Sequence, residues 1–379
     1  MSRKIIIASN TAWSLFNFRA GLIRVLVGAD YKVVVAAPPD DYVARLASLG
    51  CRFVPLPMDN KGTNPIRDTF LFFRYCRLLR QERPDAFFGY TVKPNVYGSL
   101  AAHQLRIPVV NNIAGLGTAF IGGGWLRAVV SRLYRLALRR SRRVFFQNEE
   151  DQHLFVESGI VRAHQAERIP GSGVDLEAFC PKALPDGERL HFLLIARMIW
   201  DKGVGEYIEA ARLLRARHPS VRFSLLGPIG VANRRVISRS QIEQWEKEGV
   251  VRYQGTASDV RPIISQADCV VLPSYYREGV PRSLLEAAAM GRPIVTTDTP
   301  GCRDVVEDGI NGFLCRPRAA DDLAEKMRRI IEMTPEERSR MGMEGRRKVE
   351  REFDERIVIR RYLETIEGIL GNRTTATVS

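Results

Sequence analysis

The sequence predicts an α/β protein built as two doubly wound parallel-sheet domains facing each other across a cleft. Three observations predict this. Short apolar runs alternate with helical patterns, a Gly- and Pro-rich stretch interrupts them near the middle, and the same rhythm restarts beyond it. At 379 residues the chain also exceeds a comfortable single core. Strands that alternate with helices need crossover connections, so they run parallel, and ligands then gather beyond their carboxyl ends.

In the first half the apolar runs 5–8, 32–37, 53–55, 86–89, 109–112 and 144–147 are predicted strands. Helices are expected near 17–29, 40–49, 65–82, 94–105 and 124–141. Residues 169–188, IPGSGVDLEAFCPKALPDGE, lack periodicity and form the interruption. Strands then follow at 191–196, 222–226, 251–253, 269–272 and 293–297, with helices at 203–216, 238–248, 258–266 and 281–290. The expected division is 1–170, a linker 171–189, a second domain 190–353, an amphipathic helix 354–370 that can cross back to the first domain, and a frayed tail 371–379.

A net charge of +14, with 45% hydrophobic and 26% charged residues, describes a globular protein suited to anionic partners. The six cysteines are scattered without a C-x-x-C pair, which fits reduced, mostly buried thiols in the cytoplasm and implies no metal site. The N-terminus MSRKIIIASN runs directly into a strand without an apolar signal core. No stretch approaches the roughly 20 apolar residues of a membrane span.

The most informative segment is VVLPSYYREGVPRSLLEAAAMGRPIVTT, residues 270–297. A strand ends near Leu272, Pro281 suits a helix start, and Gly291 suits its end. Backbone N–H groups of Gly279, Val280 and Arg282 are placed at that helix start, where a diphosphate can dock. Glu278 stands at the same mouth, and Glu286 follows eight residues later in an apolar helix, where a buried acid needs a polar partner. Singly, each acid is more often a solvated charge. Arg197 and Lys202 in LLIARMIWDKG, at another strand end, complete a plausible diphosphate clamp.

These motifs resemble the retaining glycosyltransferases of family 4, which have the GT-B fold of two Rossmann-like domains. The resemblance rests on R-x4-K (Arg197, Lys202), EGVPRSLLEAAAMGRPIV with its E-x7-E spacing, SGVDLEAF in the linker, and PGCRDVVEDGINGFL at 300–314. It covers nearly the whole chain. Within the family, TAWSLFNFR, IARMIWDKGV and LPSYYREGVP look most like the N-acetylhexosaminyltransferases of bacterial polyprenyl-linked glycan assembly.

The resemblance implies catalytic roles for Glu278, Arg197 and Lys202. Arg197 and Lys202 would neutralise the leaving diphosphate, Glu286 would hold the ribose hydroxyls, and Glu278 the donor sugar. Backbone groups of Gly279 and Val280 would touch phosphate or sugar, and the base would lie near Leu226, Gly227 and Gly255. The implied donor is a UDP-sugar, with no metal and no further cofactor. The implied acceptor is a glycan on a polyprenyl diphosphate, in surface polysaccharide or glycoprotein glycan assembly. Asp40–Asp41 and Asp321–Asp322 suit helix starts better than metal binding.

The first domain departs from the family pattern. Many members carry a histidine on the donor sugar after a strand like 86–89; GYTVKPNVYG carries none, and Lys93 or Asn95 are the candidate replacements. Arg19, in the loop and helix that follow the first strand, is a candidate for an acceptor diphosphate or simply an exposed helix residue. Gly117, in NIAGLGTAF, permits close backbone approach or an ordinary turn.

Residues 125–143 carry seven arginines and no acid, with apolar residues at helical spacing. This suits an anionic membrane surface, hence a peripheral location on the inner face of the cytoplasmic membrane; a helix packed on the sheet would read the same. Residues 70–83 can join that face. A UDP-sugar 2-epimerase-type isomerase is the alternative enzyme, but it needs first-domain acid/base groups that are missing. A basic membrane- or nucleic-acid-binding protein is the non-enzymatic alternative. The E-x7-E motif counts against it, and no nucleic-acid partner is expected.

Overall fold

The computed structural model describes residues 2–59, 64–115, 125–186, 189–231, 233 and 235–371. Two compact units divide the chain. Residues 1–172 and 355–379 form the first, and 173–354 the second.

The first sheet contains β1 (Lys4–Ala8), β2 (Lys32–Ala37), β3 (Arg52–Pro55), β4 (Ala86–Tyr90), β5 (Val109–Ile113), β6 (Arg143–Phe146) and β7 (Ala166–Arg168). All are parallel, in the order β3-β2-β1-β4-β5-β6-β7. Successive side chains point to opposite faces of a strand. Ile5 and Ile7 accordingly join Leu15, Ile23 and Leu26 in one layer, while Ile6 and Ala8 join Leu71, Tyr75 and Leu79 in the other. Burial on both faces explains why these strands read as unbroken apolar runs.

The helix after β1 spans Ala12–Gly28, starting earlier than the apolar periodicity implies, because the Thr11 side chain caps it by accepting from the Ser14 N–H. Helices Pro65–Glu82 and Trp125–Leu138 lie close to expectation. The predicted helix 94–105 begins as a π-turn, Pro94–Gly98, before continuing as Ser99–Gln104. Helix Glu355–Leu370 belongs to the first unit, where Tyr362 packs against Phe145 (ring centroids 4.8 Å) and Phe88 (5.6 Å).

The second sheet contains β8 (His191–Ile195), β9 (Arg222–Leu226), β10 (Arg252–Tyr253), β11 (Cys269–Leu272), β12 (Ile294–Thr297) and β13 (Gly312–Cys315). It too is parallel, in the order β10-β9-β8-β11-β12-β13. Phe192, Leu194 and Val271 face Tyr207 and Leu214, whereas Val270 and Leu272 face Leu284, Leu285 and Val305. The short strands β7 and β13 escape the sequence reading, as do helices Glu149–Glu157, Cys302–Val305 and Pro335–Glu352; of helix Ala320–Glu332 the sequence reading marks only the start. The strand order reverses between β8 and β11, and in open α/β sheets that switch point is where ligands bind.

All six cysteines are free, and only Cys180 is exposed. Among the described residues no helix is long and apolar enough to cross a membrane. Asp321 and Asp322 lie in the first turn of helix Ala320–Glu332.

Candidate active site in the second domain

Arg197 and Lys202 follow β8, and Glu278 follows β11, so the switch point brings all three motif residues to adjacent strand ends. The β8 loop closes in a single helical turn, Trp200–Lys202, terminated by Gly203 at φ +73°. A Cβ at residue 203 would lie 2.0 Å from the Pro273 carbonyl oxygen, so only glycine lets the two loops touch. The Asp201 carbonyl then accepts from the Tyr275 N–H (3.1 Å) and the Tyr276 N–H (3.0 Å), lashing the β8 loop to the β11 loop. Arg235 braces the turn from outside through Asp201 Oδ1 at 2.8 Å.

This lashing puts the Lys202 ammonium directly on Glu278 Oε1. Ser274 Oγ donates to the same carboxylate oxygen at 2.9 Å. The Ser274 carbonyl is in turn held by Thr297 and by Thr299 Oγ1 (3.2 Å), side chains at and beyond the end of β12. Lys202 also lies 5.4 Å from the Tyr276 ring centroid. Burial pushes the Tyr276 phenol up; Arg197 opposes this with its charge and a hydrogen bond, while Glu278 adds to it. Arg197 and Glu278 thus bear on the same phenol with opposite sign. Arg197 itself is exposed.

Helix Arg282–Ala289 begins with Pro281 as its N-cap, one position short of the first-turn place expected. Gly279 and Val280 are buried just before it. Gly301, at φ +80°, clears the way for this segment: a Cβ there would fall 1.5 Å from the Gly279 carbonyl oxygen. Glu286 pairs with Arg282 one turn earlier, Nε to Oε1 at 2.9 Å. Burial pushes the Glu286 carboxyl above the usual carboxylate range, against the lowering influence of Arg282. Arg282 further donates to the Gly173 carbonyl at 3.0 Å, which ties the SGVD stretch to the site helix.

Gly227 ends β9 at φ +142°, where a Cβ would meet the Ala196 carbonyl oxygen at 1.9 Å. The Gly227 N–H donates to the Gly255 carbonyl at 2.8 Å, and the Gly227 carbonyl accepts from the Tyr253 hydroxyl at 2.8 Å. These glycines line the same carboxyl-end edge of the sheet. A cavity of about 1050 Å³ opens at the opposite edge, lined among others by His191, Arg222 and Asp268. It lies away from the switch point, so the strand-end cluster is the better site candidate.

In the first domain, Lys93 Nζ donates to Asp68 Oδ1 at 2.6 Å, and the Tyr97 hydroxyl donates to Asp68 Oδ2 at 3.0 Å. Lys93 thus stands at the carboxyl end of β4 with its charge already matched. Asn95 is buried: its amide donates to the Asn112 carbonyl at 2.8 Å and its oxygen accepts from Asn111 at 2.9 Å. Thr91, at the end of β4, adopts φ +66°, a strained conformation for a β-branched residue. Arg19 is buried with its guanidinium 4.3 Å from the Tyr90 ring centroid, and no carboxylate among the described residues pairs with it. Gly117 lies outside the described residues.

The sequence reading missed Ser274, Tyr276 and the side chain of Arg282. Arg282 carried a signal, since Arg and Glu four residues apart on a helix are neighbours. Ser274 and Tyr276 sit within the quoted LPSYYREGVP motif but carry no spacing signature of their own. Among the described residues no group of three or more His, Cys, Asp or Glu side chains is placed to hold a metal ion.

Comparison with known proteins identifies the family and the fold. The family described as glycosyl transferases group 1 matches residues 177–348, and the glycosyl transferase 4-like domain matches 18–172. One relative is the N,N'-diacetylbacillosaminyl-diphospho-undecaprenol alpha-1,3-N-acetylgalactosaminyltransferase of Campylobacter jejuni. It is 28% identical over 382 residues, covering 96% of this chain and 98% of that protein. The UDP-Gal:alpha-D-GlcNAc-diphosphoundecaprenol alpha-1,3-galactosyltransferase of Escherichia coli is 24% identical over 311 residues, 78% of each. Among solved structures, Anabaena HepE in complex with UDP and glucose superposes with a TM-score of 0.80 at 19% identity, over 96% of this chain and 99% of that one. The two family models run almost without a break from residue 18 to residue 348, and with the two parallel sheets they establish that the chain belongs to the GT-B-fold glycosyltransferases of family 4.

Proposed function

We propose that the enzyme transfers an N-acetylhexosamine from a UDP-linked donor to a glycan carried on a polyprenyl diphosphate, with retention of configuration and without a metal ion. The observation that supports this most is the Lys202–Glu278 pair at the β8–β11 switch point, with Arg197 following the same strand end as Lys202. The named acceptors of two relatives, both diphospho-undecaprenol-linked sugars, support the acceptor class.

In this reading the ammonium of Lys202 moves from Glu278 to the donor diphosphate, where Arg197 joins it. Glu278 is thereby released to accept hydrogen bonds from the donor sugar. Glu286 holds the ribose hydroxyls, Gly279 and Val280 offer backbone contacts, and the base lies by Gly227 and Gly255. The bond from the anomeric carbon to the diphosphate oxygen breaks, and the diphosphate leaves with the electron pair. An acceptor hydroxyl attacks the same face and its proton passes to the departing phosphate oxygen. Preorganised cations at the leaving group are the main lever, each contributing about 3 kcal/mol to barrier lowering. Arg19 and Lys93 serve the acceptor side. The setting is bacterial surface polysaccharide or glycoprotein glycan assembly, at the inner face of the cytoplasmic membrane.

The test incubates purified protein with radiolabelled UDP-GlcNAc or UDP-GalNAc and extracted bacterial membranes. Label in the organic phase supports the proposal. Label recovered only as an epimerised free nucleotide sugar would assign an isomerase instead.

A further inference from the structure

Within residues 125–143, the expected membrane face, Tyr134, Ala137 and Leu138 lie in the first domain's core, while Val129 and Leu136 are exposed. Helix Pro65–Glu82 carries a longer exposed row. It buries Leu71, Tyr75, Leu78 and Leu79 on one side, yet turns Ile66, Phe70 and Phe73 outward at 69%, 62% and 60% exposure. Their spacing of four and three residues aligns them along one stripe of the helix. Three large apolar side chains in a row are far more than the isolated surface apolars of ordinary proteins.

The exposed charges on the helix itself are of one sign. Arg67, Arg74, Arg77 and Arg80 are exposed on the same helix. The helix's own acids are taken: Asp68 is buried on Lys93 and Tyr97, and Glu82 pairs with Lys4 and Arg52. Asp59, in the segment before the helix, pairs with Arg67.

We infer that the outer face of helix Pro65–Glu82 docks the protein on an anionic lipid bilayer, with Ile66, Phe70 and Phe73 entering the acyl boundary and the arginines resting on headgroup phosphates. An apolar row rimmed by cations is the pattern of an interfacial helix. A second copy of this chain is the poorer occupant, since pairing two such faces would bring arginine rows together. The Lys93–Asp68 bond fastens the first turn of this helix, by its inner side, to the loop after β4 that carries the proposed acceptor-side Lys93. The inference rests on the proposed lipid-linked acceptor for its purpose, but its evidence is the surface itself.

The experiment is flotation of the full chain with vesicles of phosphatidylglycerol and phosphatidylcholine, against vesicles of phosphatidylcholine alone. Wild type is expected to float with the anionic vesicles. Substituting Ile66→Ser, Phe70→Ser and Phe73→Ser together should weaken partitioning at least ~30-fold, and Arg74→Gln about fivefold. Circular dichroism and transfer to a short-chain, water-soluble acceptor diphosphate should be unchanged in the triple variant. Equal binding by wild type and triple variant would overturn the inference, as would a wild-type dimer that the triple substitution dissociates. Loss of transfer to every acceptor with vesicle binding intact would instead remove the functional reading and leave the docking surface standing.

Discussion

Arg282 donates from Nε to the Glu286 carboxylate at 2.9 Å and from Nη1 to the Gly173 carbonyl at 3.0 Å, so one guanidinium fixes the site helix to the segment entering the second domain. The side chains of this pair are only 15% and 14% exposed, and neither charge is well solvated when alone. Glu286→Ala should therefore act twice. It should raise donor KM at least ~10-fold by removing the ribose acceptor, and lower stability by about 2 kcal/mol by orphaning Arg282. Initial rates against UDP-sugar and urea midpoints separate the two effects. Glu286→Ala with unchanged donor KM would remove this residue from the site.

The same carboxyl gives a pH dependence. Burial raises it above the usual range, and the proposed ribose contact uses the carboxylate. As pH falls, donor KM should climb sooner than an ordinary glutamate allows, and Glu286→Gln should flatten the profile. The stability consequence has the opposite sense. A raised folded-state value means the folded protein binds this proton more tightly than the unfolded chain. The contribution is full below the ordinary glutamate value of about 4.3 and is lost as pH rises through the folded value. Urea midpoints of wild type and Glu286→Gln across that range check the sign.

Lys202 and Glu278 neutralise each other. Lys202→Ala should lower kcat about 10²–10³-fold, because the lost contact is made with the departing diphosphate. Glu278→Gln keeps the shape but removes the charge that parks the ammonium, and should lower kcat with a smaller effect on UDP affinity. Steady-state kinetics that show only a KM change for Lys202→Ala would count against its leaving-group role.

Gly203 makes the loop-to-loop contact possible. Gly203→Ala would place a Cβ 2.0 Å from the Pro273 oxygen at a φ of +73°. A stability loss of about 3 kcal/mol or more is expected, with a matching fall in activity as Lys202 is displaced. The urea midpoint of this variant reads the first, and its specific activity the second.

The central strands were legible because burial on both faces makes them unbroken apolar runs, as in Ile5–Ile7 and Val270–Leu272. Edge strands β7 and β13 are three and four residues long, too short to show a period. The acidic and basic motif residues were legible through family resemblance. Their actual partners were not, because Lys202 and Glu278 stand 76 positions apart and only the switch point joins them. Asn95 drew attention as a sugar ligand but is absorbed in a buried amide network with Asn111 and Asn112, which spacing cannot reveal. Helix Pro65–Glu82 is apolar on more than one side, so periodicity alone could not separate Leu71 and Tyr75, which face the core, from Phe70 and Phe73, which do not.

The most direct test of the central claim, that the β8 and β11 strand ends grip a nucleotide diphosphate, is calorimetric titration of UDP into the wild type and its Arg197→Ala and Arg222→Ala variants. The account predicts that Arg197→Ala weakens UDP binding about 10- to 100-fold, whereas Arg222→Ala, at the opposite sheet edge, binds as wild type does. Equal UDP affinity in wild type and Arg197→Ala, or a loss confined to Arg222→Ala, would contradict it.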